Sequence, residues 1–429
     1  MTYQELISKL KDRLAADGAY PIKEQAMLST QILKDKLELV LPWAMEISGF
    51  DFWIVLSREN NEDPIHRTLV TWDMPEARRV SILAFHRDSA TGAVRKMCVG
   101  SQSPEMDKLY ENVQKQGESV WEALARVLQE CDPARIAVDR SVWSGFCDGL
   151  SSTLFEQLKD SIDPCYCARI EDGEDLTVRW LERVTPLEKK IMKCFCEVTH
   201  AIIHYTFSSD FVVPGKTTTT DIEWCMRSII NELGCRYWFG PDVDLQRRGS
   251  SVSRMFDVTI EPGDLIHCDI GINGQYVQLH TDMQWVAYIL REGEKQVPQD
   301  LQALLDCGNR FRQIVMENMH VGKQGNAVFT AAMRQAKAEG IQPMLYSHPV
   351  GTFGHGAGPT IGLYTNQGFV PGTGERTIEE DTCFALELNV YDNISCWDGQ
   401  RVFMYLEENI CRAAENDYID GHQTKLLLI

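Results

Sequence analysis

Two aspartates, two glutamates and a few histidines in the second half of this chain have the types and spacing that could do chemistry. Asp269 sits among Leu265, Ile266, Cys268 and Ile270, in a run apolar enough to be buried. An aspartate is rarely fully buried without a partner, because removing its charge from water is costly. Asp282 follows within the same segment, GDLIHCDIGINGQYVQLHTDMQWVAYIL. In a hairpin here, Gln278, His280 and Asp282 share a face with Asp269 whenever paired residue numbers sum to an odd value. Asn273-Gly274 is a strong type I′ turn signal. That turn places Gln278 opposite Asp269 and His280 diagonal to it; a longer loop centred near Gln275 and Tyr276 brings Asp282 opposite instead. Both His280 and Asp282 stay open as the second group.

The stretch SHPVGTFGHGAGPTIG carries His355, flanked by Gly354, Gly356 and Gly358, which leave room around an imidazole. His348 precedes a proline and is held to extended or turn backbone. Glu387 lies in TCFALELNVYD, where Phe384, Leu386, Leu388 and Val390 face one way and Glu387 and Asn389 the other. Glu407 lies in RVFMYLEENI, with Glu408 beside it as a competitor. Each histidine alone reads as a hydrogen-bonded loop residue, and each glutamate alone as part of a half-solvated strand face. Together they form an oxygen-rich set with an imidazole, which suits Mn, Co, Fe or Zn rather than a thiolate zinc site. Two such ions about 3.5–4 Å apart would absorb the negative charge and activate a bridging water.

The elements that must position these groups form two parts. A length of 429 residues suggests two or three domains at roughly 150 residues each. From 1 to about 175 helices alternate with strands: helical stretches at 3–16 and 22–48, a helix at 103–131, and apolar runs at 51–57, 80–86 and 135–139. This favours an α/β layer. EDGEDL at 171–176 reads as a linker. Helices then open at Pro186, after Thr220, at Pro298 and near Asn326, and strands are expected at 254–260, 264–272, 276–290, 382–391 and 401–412. The second part is therefore α+β, an antiparallel sheet covered by helices.

Composition narrows the function. Apolar residues at 44% and charged residues at 24% are ordinary for a globular protein. A net charge of −20 would repel phosphate backbones and anionic lipid heads, which argues against nucleic acid and membrane surfaces as partners. The first residues lack the apolar core of a signal peptide, and no apolar run reaches membrane-spanning length. Fourteen cysteines without a C-x-x-C pair read as reduced thiols in a cytoplasmic protein.

The order Asp, Asp, His, Glu, Glu, carried by GDLIHCDIG, the HTD segment, GHGAG, FALELNV and LEEN, resembles the pita-bread metallopeptidase family. That family includes methionine aminopeptidase, aminopeptidase P, prolidase and the metal-free creatinase. The resemblance covers 185–429 as a pita-bread catalytic domain. More weakly, 1–175 is similar to the creatinase-like N-terminal α/β domain of the aminopeptidase P, prolidase and creatinase branch. It implies two divalent metal ions, with Asp269 a terminal ligand, Asp282 and Glu407 bridging, and His355 and Glu387 holding the second ion. It also implies that Glu387 handles protons, that a histidine such as His348 steadies the oxyanion, and that short peptides of the Xaa-Pro type are the substrates of a homodimer.

Three departures from the family pattern stand out. The usual spacing of the two aspartates lands on His280, so Asp282 as ligand assumes a two-residue insertion. GLYTNQ at 362–367 lacks the accessory histidine, for which His348 is the substitute. The arginine commonly two places before the last glutamate is replaced by Tyr405. These leave room for lyase-like chemistry on the same metal site, or for a metal-free binding protein.

Overall fold

A computed structural model describes residues 1–100, 103–412 and 416–429. The chain divides into two compact units, Ala26–Leu187, and Met1–Gln25 together with Glu188–Ile429. The first twenty-five residues thus fold with the C-terminal unit, rather than with the rest of 1–175. Arg13 pairs there with Glu197, and the Tyr3 hydroxyl donates to Glu232 at 2.9 Å.

The unit Ala26–Leu187 is built on a six-stranded mixed sheet in the order β4-β3-β2-β1-β5-β6. Its strands are β1 (Phe52–Arg58), β2 (Val80–Arg87), β3 (Val94–Val99), β4 (Glu111–Asn112), β5 (Ile136–Val138) and β6 (Ile170–Asp172). The helix Val120–Cys131 buries Ala123, Leu124, Val127 and Leu128 against Phe52, Ile54 and Ile136. It is shorter than the helix expected at 103–131, since it starts only where Ser119 and Glu122 form a capping box. The expected helix 22–48 breaks at Val40 into Ile22–Leu39 and Leu41–Ser48, with Pro42 opening the second. EDGEDL is no linker. Glu171 and Asp172 pair with Ala137 and Val138 in the sheet, and Gly173 caps the helix Glu174–Glu182.

In the C-terminal unit the strands are β7 (Cys235–Tyr237), β8 (Asp242–Gln246), β9 (Leu265–Ile270), β10 (Ile272–Gly274), β11 (Met283–Tyr288), β12 (Pro343–Leu345), β13 (His348–Pro349), β14 (Thr382–Ala385), β15 (Leu388–Ile394), β16 (Gln400–Leu406), β17 (Asn409–Arg412), β18 (Asn416–Tyr418) and β19 (Leu427–Leu428). They form ladders β19-β11-β9-β8, β12-β15-β16, β13-β14-β17-β18 and β10-β7. A bridge between Gln284 and Glu407 ties the first ladder to the β16–β17 chain. The helices Gln299–Asn318 and Gly325–Ala338 cover the sheet with Leu301, Leu305, Phe311, Val328 and Phe329. Against them pack Phe384, Leu386, Leu388, Val390 and Leu406, the apolar face expected from alternation. Glu387 falls between β14 and β15, and Glu407 between β16 and β17. Each acid thus sits where its strand interrupts the ladder and the opposite side chains are anchored in the core.

The hairpin register differs from the short-turn reading. β9 and β11 pair with Gln284 opposite Asp269 and Met283 opposite Ile270. The expected strand 276–290 begins only at Met283, and 254–260 makes isolated bridges rather than a strand. Asn273-Gly274 does not form the tip: β10 runs antiparallel to β7, with Asn273 opposite Arg236. The excursion is pinned by Gln25, whose side chain accepts from the Tyr276 N–H at 2.7 Å and donates to the Ala19 carbonyl at 3.1 Å.

No helix among the described residues is long and apolar enough to cross a membrane. All fourteen cysteines are free thiols.

The link between β9 and β10 leaves no room for a side chain. A Cβ on Gly271 would overlap the Trp238 indole nitrogen and lie 2.6 Å from the Thr281 carbonyl oxygen. Gly271→Ala is expected to cost about 1–3 kcal/mol, read as a lower thermal melting point.

Candidate metal centre

The odd register puts Asp269, Gln284 and Asp282 on one face of the β9–β11 pair, because side chains alternate along each strand. β13 lies against β14 with His348 opposite Ala385, which brings the imidazole to the same cavity. Ligating atoms of Asp269, Asp282 and Glu407 lie within 4.8 Å of one another. So do those of His348, Glu387 and Glu407, and those of Asp282, His348 and His355. The three groups share members and make one cluster.

His348 stands at its middle. Its Nε2 is 3.5 Å from Asp282 Oδ2, 3.6 Å from Glu407 Oε1 and 3.9 Å from Glu387 Oε2. None of these is a good hydrogen bond; the spacings suit atoms that share a cation. His348 Nδ1–H donates to the Pro349 carbonyl at 3.0 Å, which leaves the lone pair on Nε2. Burial holds the ring neutral by pushing its pKa down to about 4. His355 sits at the exposed rim, its ring centroid 4.6 Å from that of His348, and burial followed by His348 takes it to about 4 as well.

The carboxyl groups are strained electrostatically. Burial, then the charge of Glu407, pushes Asp269 well above the usual carboxylate range. Burial and the charges of Glu407, Asp269 and Glu387 do the same to Asp282. Glu387 is raised by burial, then Glu407 and Asp269. Glu407 is raised by burial to about 8, although Gln284 tempers the shift. Three buried atoms here, Asp269 Oδ1, His348 Nε2 and Glu407 Oε1, have no hydrogen-bond partner. Unpartnered acceptors that converge in this way fit a divalent cation, with oxygen and imidazole donors suited to Mn, Co, Fe or Zn.

His280 takes no part in these groups. Its Nδ1 lies 3.0 Å from the Gly351 carbonyl, and its ring faces Trp238. Glu408 points to the opposite side of its strand, accepting from Trp285 Nε1 at 2.6 Å and meeting His200 Nε2 at 3.0 Å. In GLYTNQ, Gln367 grips the backbone of Leu345 through both ends of its amide. Sequence reasoning missed Gln284, whose Nε2 donates to Glu387 Oε1 at 2.6 Å and Glu407 Oε2 at 2.8 Å. Its position two residues after Asp282, on the same strand face, was the available signal.

Residues 190–411 match the profile of metallopeptidase family M24. No curated protein matches the chain significantly. Among solved structures it is similar to an X-Pro aminopeptidase from Thermotoga maritima MSB8, with a TM-score of 0.64 at 13% identity, covering 90% of this chain and 100% of that one. It is also similar to an Xaa-Pro dipeptidase from Bacillus anthracis, with a TM-score of 0.63 at 15% identity, covering 92% and 100%. The N-terminal domain of the FACT complex subunit SPT16 from Cicer arietinum shares the fold too, with a TM-score of 0.54 at 13% identity, covering 94% and 97%.

Asp282→Asn is expected to abolish uptake of at least one ion per chain, while His280→Ala leaves uptake unchanged, as read by metal analysis after loading with manganese. Acid titration gives a second expectation. Unfolded carboxyls release protons near pH 4.3, whereas folded Glu407 keeps its proton to about 8. The cluster therefore favours the folded state at low pH, and that contribution is lost as pH rises toward 8. Below about pH 6.5, His280, His348 and His355 act the other way, since unfolded imidazoles bind protons that these buried rings refuse. Between about pH 6.5 and 8 the metal-free melting point should fall, and added manganese should restore more of it at pH 8.

Proposed function

The chain belongs to metallopeptidase family M24, and from that premise we propose that it is a dinuclear metal-dependent hydrolase of short peptides, acting next to proline in the manner of an aminopeptidase or prolidase. The observation that carries this reading is the convergence of Asp269, Asp282, His348, His355, Glu387 and Glu407, with three buried acceptor atoms unpartnered. Asp269, Asp282, Glu387, Glu407, His348 and His355 would together hold the divalent ions. Bound divalent ions polarise a peptide carbonyl and lower the pKa of water between them.

The chain's own groups supply the rest. With its Nδ1–H given to the Pro349 carbonyl, His348 would offer the Nε2 lone pair to an ion rather than a proton to an oxyanion. Glu387, with 18% of its side chain exposed, is the acid that would carry a proton toward the leaving amine. Trp238 borders the site beside His355, with ring centroids 5.0 Å apart. Tyr364 meets Tyr346 at 5.2 Å and is 56% exposed. These aromatic faces give an apolar ring, such as that of proline, a surface to lie on.

Full-length protein loaded with manganese or cobalt is expected to cleave Xaa-Pro dipeptides or tripeptides, and Glu407→Ala to abolish turnover. Bound metal without turnover of any such peptide would overturn the peptidase reading and leave lyase-like chemistry on the same site. A failure to bind metal at all would favour a binding protein.

A further inference from the structure

We propose that Gln284 is a positioning residue for the metal centre, and that Arg254, Asp244 and His267 form a buried relay holding its amide in one orientation. The proposal rests on the metal-centre reading above and deepens it. Gln284 is 3% exposed and faces the cavity between Asp269 and Asp282. Both N–H groups of its amide are committed, one to Glu387 Oε1 and one to Glu407 Oε2. The oxygens left over are Glu387 Oε2 and Glu407 Oε1, the two that approach His348 Nε2 at 3.9 and 3.6 Å. Gln284 thus decides which oxygen of each glutamate is turned toward an ion.

An amide can flip, and the flipped form would aim its oxygen at two carboxylates. His267 prevents this. Its Nε2 lies 3.0 Å from Gln284 Oε1, and the other end of the amide is donating, so Nε2–H must donate to that oxygen. His267 stands directly opposite Asp244 in the β8–β9 register, and its Nδ1 meets Asp244 Oδ2 at 2.8 Å. Arg254 grips the same Oδ2 through Nε at 2.8 Å and Nη2 at 2.6 Å. The relay therefore crosses three adjacent strands on one sheet face and ends in a fixed cation.

This arrangement accounts for a departure noted in the sequence. Tyr405 stands where the resemblance expects an arginine. Its ring packs against His267, with centroids 5.2 Å apart, and the Arg254 guanidinium carbon lies 5.4 Å from its centre. A positive charge stands instead at Arg254 in the 246–260 segment and reaches the glutamates through the relay. Groups that orient metal ligands typically change metal affinity about 10–100-fold when removed.

The test is cobalt(II) titration of the full chain by calorimetry, with the visible absorption of bound cobalt recorded alongside. Gln284→Leu keeps a branched apolar side chain, one atom shorter, but donates nothing. It should bind cobalt about 10–100-fold more weakly, with shifted absorption bands. Arg254→Ala, at a residue whose side chain is 32% exposed, should lose about tenfold with a similar spectral shift. Wild-type affinity and an unshifted spectrum in Gln284→Leu would overturn the proposal. Should that variant fail to fold, the same result in Arg254→Ala would do so. If wild-type protein takes up no cobalt, the metal-centre reading itself falls, and this proposal with it.

Discussion

Four acids crowded into one buried cluster repel one another, and the side chains around them keep them there. Burial alone opposes ionisation of Asp269, Asp282, Glu387 and Glu407, and each neighbour's charge makes it worse. A fold left to itself would relieve such strain by turning one side chain outward. It cannot do so here, because the opposite side of each strand is locked into the core. Leu386 and Leu388 flank Glu387, Leu406 precedes Glu407, and all three are fully buried among helix side chains. The hydrophobic effect thus supplies the force that holds like charges together, in a cluster that could hold a divalent ion.

The surroundings offset only part of that charge. Arg254, bound to Asp244 and Asp242, reaches the glutamates through His267 and Gln284. Burial opposes a charge on His267, yet Asp244 outweighs it and holds the ring's pKa above its usual value. This positive arm lies on one side of the cavity. Neutral His348 and His355 also belong to the cluster and add no charge to it.

Much of this was legible in the residues. Alternation in FALELNV located the buried face and left Glu387 on the other, and the acid at 269 inside an apolar run announced its own cost. The choice between Asp282 and His280 was not legible, because it depends on a register set far away. Gln25, more than two hundred residues earlier, pins the backbone at Tyr276 and lengthens the excursion past the Asn273-Gly274 signal. His348 was singled out in the sequence, but its place among the acids was hidden for a related reason. Its proximity to the acids comes from β13 lying against β14, a pairing with no local signature. The break at Val40 and the strand inside EDGEDL were misread because Pro42 opens a second helix directly after the first, and Gly173 caps a helix directly after a strand, with no linker at either place. Gln284 went unnoticed because an amide has no charge to make its burial look expensive.

Glu407 and Glu408 are chemically near-identical neighbours sent to opposite sides of one strand, the first into the cavity and the second to an indole and an imidazole behind it. A slip of a single residue in that pairing would exchange them. Composition, net charge and the count of buried acids would be unchanged, yet the centre would be wired back to front. The aromatic pair Trp285 and His200 therefore works as a key for the reading frame of the sheet: it accepts one carboxylate only, and by claiming it leaves the other for the cavity.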